Sequence, residues 1–88
     1  MLKIAIVEDE GQEAKKLEEF LRRYLAKKEM SWEVVHFSNA EDFLERCRSG
    51  YQLLFMDIEL PGMNGMDACR KLRSFDKSMT IVFTTNLV

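Results

Sequence analysis

Eighty-eight residues, 47% of them hydrophobic and 32% charged, make a chain long enough for one hydrophobic core and too short for two. The formal charge of -2 excludes the clustered cationic surface that nucleic acid or an anionic membrane needs, because pairs such as Arg22-Arg23 and Lys27-Lys28 are too few and too local. No stretch approaches the ~20 apolar residues that cross a bilayer, and Lys3 leads straight into a strand without a signal-peptide plan, so the chain is predicted to be cytoplasmic and to have no membrane partner.

The first element, Leu2-Lys3-Ile4-Ala5-Ile6-Val7, is short and rich in β-branched residues, which predicts a buried strand, and it ends on Glu8-Asp9-Glu10. Ala14, Leu17, Leu21, Tyr24 and Leu25 then recur at helical spacing, with Phe20 widening the stripe, so an amphipathic helix is predicted over about 10–27. Asp9 with Gln12 reads as an N-cap and its partner, and Glu18–Arg22 and Glu19–Arg23 as ion pairs on the wet side. Trp32 to Phe37 is a more polar strand suited to a sheet edge, and its His36, the one histidine, reads as an ordinary edge residue. Ser38 and Glu41 form a capping box for a helix whose stripe is Ala40, Phe43, Leu44 and Cys47, with Gly50 as its end.

Tyr51 to Asp57 is the most informative stretch. It is apolar nearly throughout, of strand length, and stops on a carboxylate before the loop signal Pro61-Gly62. A strand without a polar face is covered on both sides, as in a parallel sheet between helices. Asn64 is placed to cap a third helix with Ala68, Cys69, Leu72 and Phe75 on its apolar face, and Met79 to Thr84 is a fourth strand. Cys47 and Cys69 fall on different helices without metal-ligand or redox spacing and read as small buried thiols.

Strands alternating with helices predict an α/β fold: a doubly wound parallel sheet with right-handed crossovers. In such a sheet every strand points the same way, so Glu8 and Asp9, Asp57, and the hydroxyls of Thr84 and Thr85 emerge at one edge. With strands one and three adjacent and strand two outside strand one, the acids flank the crevice where strand order reverses. Clustered carboxylates without His or Cys favour Mg²⁺, which takes one or two carboxylates, several waters and a substrate phosphate. Asp57 is the candidate nucleophile, since aspartate forms acyl phosphates, and a threonine opposite is placed to bind a phosphoryl oxygen.

The residues Ile4-Ala5-Ile6-Val7-Glu8-Asp9-Glu10, Met56-Asp57-Ile58-Glu59-Leu60-Pro61-Gly62-Met63-Asn64-Gly65 and Ile81-Val82-Phe83-Thr84-Thr85 resemble the receiver domain of bacterial two-component response regulators, a CheY-like fold. The likeness covers essentially the whole of 1–88, and its wording is similar to regulators with a LytTR-type DNA-binding output domain. The resemblance implies strand order 2-1-3-4 and a phosphoacceptor, not an enzyme: Asp57 takes a phosphoryl group from a sensor histidine kinase, and Thr85 is the switch hydroxyl. It also implies a Mg²⁺ site made by Glu8, Asp9, Asp57 and the backbone carbonyl of Glu59, and control of a transcriptional output that alone touches DNA. Two departures stand out. Asn86 follows the switch position, where the family has a small residue. The family's last α-β-α portion, with its fifth-strand lysine, is missing, so the chain reads as a receiver truncated after the fourth strand, and Lys77 precedes strand four and so sits at the opposite edge.

Two other functions share these residues. An aspartyl-phosphate phosphohydrolase would use a second acid two residues on, where Glu59 stands, but Leu60-Pro61-Gly62 follows it instead of a phosphate-binding threonine. A phosphorylation-independent receiver-like interaction module would keep the fold alone. Ile81, Val82 and Phe83, interior-type residues on an edge strand, predict a homodimer or larger assembly through strand four.

Overall fold

The computed structural model describes residues 1–46 and 50–84. Along the chain run β1 (Leu2–Val7), α1 (Gly11–Ala26), β2 (Trp32–Phe37), α2 (Ala40–Arg46), β3 (Leu53–Asp57), α3 (Gly65–Arg73) and β4 (Thr80–Thr84). All three strand pairings are parallel and the sheet order is β2-β1-β3-β4, the topology that the βα alternation predicts. Among the described residues no helix is long and apolar enough to cross a membrane.

Period-two alternation sorts each central strand onto two faces. Ala5 and Val7 of β1 and Leu54 and Met56 of β3 meet Phe43 of α2 and Ala68 and Leu72 of α3 on one side. Ile4 and Ile6 turn the other way and meet Ala14, Leu21 and Leu25 of α1. β1 is therefore apolar on both faces, which is why its sequence lacks a polar alternation. β2 is the polar edge strand expected, with Phe37 as its one fully buried residue.

The helices depart from the sequence reading in register. Phe20 and Tyr24, expected on the buried stripe of α1, are 69% and 49% exposed. One residue turns a helix by about 100°, so Phe20 points well round from Leu21, and the residues of α1 that are buried are Ala14, Leu21 and Leu25. Glu18 and Arg22 do pair, at 3.6 Å. Phe75 is 57% exposed because α3 ends at Arg73, with Ser74 and Phe75 bonded back to Lys71 and Leu72. α2 is capped by Asn39, whose Oδ1 accepts from the Asp42 amide at 2.8 Å, and not by the Ser38 box. Asn64 caps α3 as expected, accepting from Asp67 at 2.9 Å. Cys69 is buried, and that burial pushes its thiol up; Cys47 lies outside the described residues.

β3 starts at Leu53, two residues later than the sequence suggests. Tyr51 instead packs its ring on Phe37 and Phe43, with centroids 6.3 and 6.0 Å away, and lies under the Lys3 ammonium at 4.8 Å. β4 is entered through a turn organised by Asp76, whose Oδ1 accepts from the Ser78 amide, the Ser78 hydroxyl and the Met79 amide at 3.0, 3.1 and 3.1 Å. These bonds, the Ser78 amide foremost, hold the carboxyl below its ordinary 3.8. A depressed carboxylate contributes stability above its unfolded pKa and loses it as pH falls through the folded value. Asp76→Ala is thus expected to melt earlier than wild type near neutral pH, with the gap closing as acid protonates the wild-type turn. Melting curves over an acid series check this; a gap independent of pH refutes it.

Candidate metal site

β1 and β3 are adjacent and parallel, so their carboxyl ends surface together. The chain leaves β1 through Glu8 and Asp9, and Asp57 is the last residue of β3. One carboxylate oxygen from each of Glu8, Asp9 and Asp57 lies within 4.8 Å of the other two. Asp57 is 1% and Glu8 6% exposed, while Asp9 faces solvent. Ionised together, two buried acids beside a third repel one another through a medium less polar than water, and a cation held among them would relieve that repulsion. An all-oxygen donor set without imidazole or thiolate fits a hard ion such as Mg²⁺.

Backbone amides hold two of the carboxylates. Asp57 Oδ1 accepts from the Glu59 amide at 3.1 Å, and Glu8 Oε2 from the Glu10 amide at 3.4 Å. Asp9 does not cap α1. The N-cap is Glu10, without a side-chain bond, and the first helical bond runs from the Ala14 amide to the Glu10 carbonyl at 3.0 Å. The Asp9 carboxylate lies instead with the other acids.

The loop after Asp57 is tied down on both sides. The Ile58 amide donates to the Thr84 carbonyl at 3.1 Å, and the Gly65 amide to the Ile58 carbonyl at 3.2 Å. Glu59 is exposed in this loop. Thr84 pairs with Asp57 across the sheet and helps to line an open groove of about 290 Å³ beside Glu8, floored by Ile6 and walled by Ala14 and Leu17 of α1. Thr85 and Asn86 lie outside the described residues. Lys77 is exposed ahead of β4, at the edge opposite the acids.

One residue gains a contact the sequence does not announce. His36 is exposed on the edge strand as expected, yet its Nε2 stands 2.7 Å from the Glu8 carbonyl oxygen. The available signal was its position opposite Ile6, two residues before the first acid.

Comparison with known proteins converges on one family. The response regulator receiver domain family matches residues 4–87. The chain is 33% identical over 88 residues to the response regulator RppA of Synechocystis sp., covering 98% of this chain and 36% of that protein. It is 35% identical over 85 residues to the response regulator sskA of Aspergillus fumigatus, covering 94% of this chain and 9% of that one. The chain thus spans a small part of the curated relatives it matches. Among solved structures, the response regulator TrrA of Thermotoga maritima in complex with Mg²⁺-BeF matches with a TM-score of 0.83 at 28% identity, over 97% of this chain and 70% of that one. TrrA in complex with the histidine kinase ThkA matches with a TM-score of 0.81 at 29% identity, over 100% of this chain and 72% of that one.

Proposed function

This chain belongs to the response regulator receiver domain family, and from that premise we propose that residues 1–88 form a receiver unit that accepts a phosphoryl group on Asp57 from the phosphohistidine of a sensor histidine kinase. The observation that carries the reading is the placement of Asp57, almost fully buried at the end of β3 within 4.8 Å of the Glu8 and Asp9 carboxylates. The solved relatives bound to Mg²⁺-BeF and to a histidine kinase support it by analogy.

In the transfer the free oxygen of Asp57 attacks phosphorus; an O–P bond forms, the donor's P–N bond breaks, and its electron pair stays on the imidazole nitrogen. The Glu59 amide fixes the other oxygen, Oδ1, so that the carboxylate presents a defined face. Glu8, Asp9, Asp57 and the Glu59 carbonyl are the proposed Mg²⁺ ligands, and Thr85 the proposed switch hydroxyl. When bound, Mg²⁺ neutralises charge on the incoming phosphoryl oxygens. The product is a signalling state and not a turnover product, so the chain acts as an acceptor, with a transcriptional output elsewhere and no nucleic-acid contact by its own acidic surface. Acetyl phosphate with Mg²⁺ followed by intact-mass analysis tests this: one stable phosphoryl adduct is expected, whereas steady hydrolysis would indicate a phosphohydrolase and no adduct a phosphorylation-independent module.

Metal is expected to raise the melting midpoint. Binding to the folded state alone stabilises by about 2.7 kcal/mol at a hundredfold excess over Kd, or roughly 10–20 °C in a domain of this size. Asp9→Ala should remove most of the shift. An unchanged midpoint at millimolar Mg²⁺ sinks the metal site.

We further propose self-association through β4. This edge strand carries Val82 and Phe83, each 39% exposed on opposite faces, and its sequence Thr80 to Thr84 contains none of the Lys or Pro residues that blunt natural edges. A twofold pairing of β4 with β4 of a second copy satisfies the open backbone edge and flanks both side chains with those of a neighbouring strand. Light scattering over a dilution series should show a dimer that dissociates on dilution and a Phe83→Lys variant that is monomeric throughout; a wild-type monomer at every concentration refutes the pairing.

A further inference from the structure

The turn that carries Glu8 and Asp9 is held to its neighbour by a side chain. Backbone pairing of β1 with β2 ends at Val7 opposite Phe37. The Glu8 amide still donates to the Phe37 carbonyl at 3.0 Å, so the ladder reaches one residue further on that side. In a parallel ladder, the residue whose amide bonds to position 37 has a carbonyl that accepts from position 39. Here Asn39 opens α2, its carbonyl accepting from the Phe43 amide and its side chain from the Asp42 amide, and the chain has already turned away from β1. The group found 2.7 Å from the Glu8 carbonyl is His36 Nε2. A carbonyl only accepts, so Nε2 carries the hydrogen.

We infer that His36 is a positioning residue for the metal-binding turn: its imidazole stands in for the missing ladder amide and fixes the Glu8 backbone, and through it the Asp9 carboxylate. On the helix side the Glu10 amide donates to the Glu8 carboxylate at 3.4 Å, a longer bond than that of His36. Glu10, the N-cap of α1, makes no side-chain bond that would brace the turn from the helix side. Asp9 is the exposed member of the acidic cluster and has no burial to hold it in place. Glu8 is thereby held through both its amide and its carbonyl by β2, although the strand register has ended. His36 touches no phosphoryl group or metal, and its effect passes through the geometry of two carboxylates. The inference rests on the metal-dependent reading proposed above.

Titration calorimetry with MgCl₂ on the whole chain tests it, comparing wild type, His36→Ala and His36→Gln, with melting of the metal-free proteins alongside. Residues that orient metal ligands from outside the coordination shell are typically worth 10–100-fold in affinity. His36→Ala should therefore bind Mg²⁺ roughly tenfold more weakly, a larger effect than the modest lowering of its metal-free midpoint that loss of one hydrogen bond to the Glu8 carbonyl brings. Gln places an N–H donor close to where Nε2 stood, so His36→Gln should recover most of the affinity; a merely structural role would lower the metal-free midpoint of the Ala variant and leave affinity unmoved. Wild-type binding with His36→Ala affinity within twofold overturns the inference alone. Absence of Mg²⁺ binding by wild type overturns the functional reading on which it rests.

Discussion

Asp57→Asn is expected to abolish the phosphoryl adduct while making the metal-free chain more stable. Its carboxylate is 1% exposed and within 4.8 Å of two others. At an effective dielectric of about 20, two charges at that separation repel by about 3 kcal/mol, and solvent around Asp9 lowers the net. The amide is isosteric, and its oxygen can keep the bond from the Glu59 amide at 3.1 Å, so the substitution removes charge without opening a cavity or orphaning a donor. A net gain of about 1 kcal/mol raises the midpoint by roughly 4–8 °C in a domain of this size. Added Mg²⁺ should then stabilise the variant less than wild type, because the strongest reason for the ion has gone. Intact-mass analysis after acetyl phosphate treatment and paired melts read both effects. An adduct that survives Asp57→Asn places the acceptor elsewhere, and a lowered midpoint shows that the acids do not repel as argued.

Acids placed against the pattern of burial are the reason the candidate site could be read from the sequence. Strand identity and order were legible because β1 and β3 are apolar on both faces, which only a covered parallel sheet permits, and parallel strands must bring their ends together. Three acids at strand ends in a chain otherwise patterned for burial then stood out. What was not legible were features decided by one residue. Ser38 and Asn39 are both able to cap a helix, and the bonds from the Asp42 amide to the Asn39 side chain and from the Phe43 amide to the Asn39 carbonyl choose between them. Asp9 and Glu10 pose the same choice, and there the helix starts one residue later, leaving Asp9 with the other acids. Tyr51 looked like strand, yet its ring joins Phe37 and Phe43. His36 depends on where a ladder runs out, which no periodicity reports.

Gly65→Ala should damage fold and site together, reversing the sign that helix propensity assigns. Gly65 opens α3, and in an exposed helix Gly→Ala stabilises by about 0.5–1 kcal/mol. Here an added Cβ would land on the carbonyl oxygen of Asp57, and would also stand 3.0 Å from its carbonyl carbon and from the Met56 Cγ. Neither neighbour can step aside. The Asp57 carbonyl is main chain at the end of a strand whose next amide is tied to Thr84, and Met56 is fully buried. Either α3 withdraws, breaking the Gly65 amide bond to the Ile58 carbonyl, or the end of β3 moves and carries the Asp57 carboxylate with it. Overpacking of this kind costs about 3 kcal/mol at the upper end of its usual range, a large part of the stability of a domain this small. Gly62→Ala is the control. That position has φ +76 and would strain an alanine by about 1–2 kcal/mol, but the nearest atom to the new methyl is the Glu41 Oε2 at 2.7 Å, the free end of an exposed side chain. It should lower the melting midpoint modestly and leave Mg²⁺ affinity intact, whereas Gly65→Ala should lower both. Equal midpoints for the two variants, or unchanged Mg²⁺ binding by Gly65→Ala, would show that the contact between the start of α3 and the end of β3 does not set the position of Asp57.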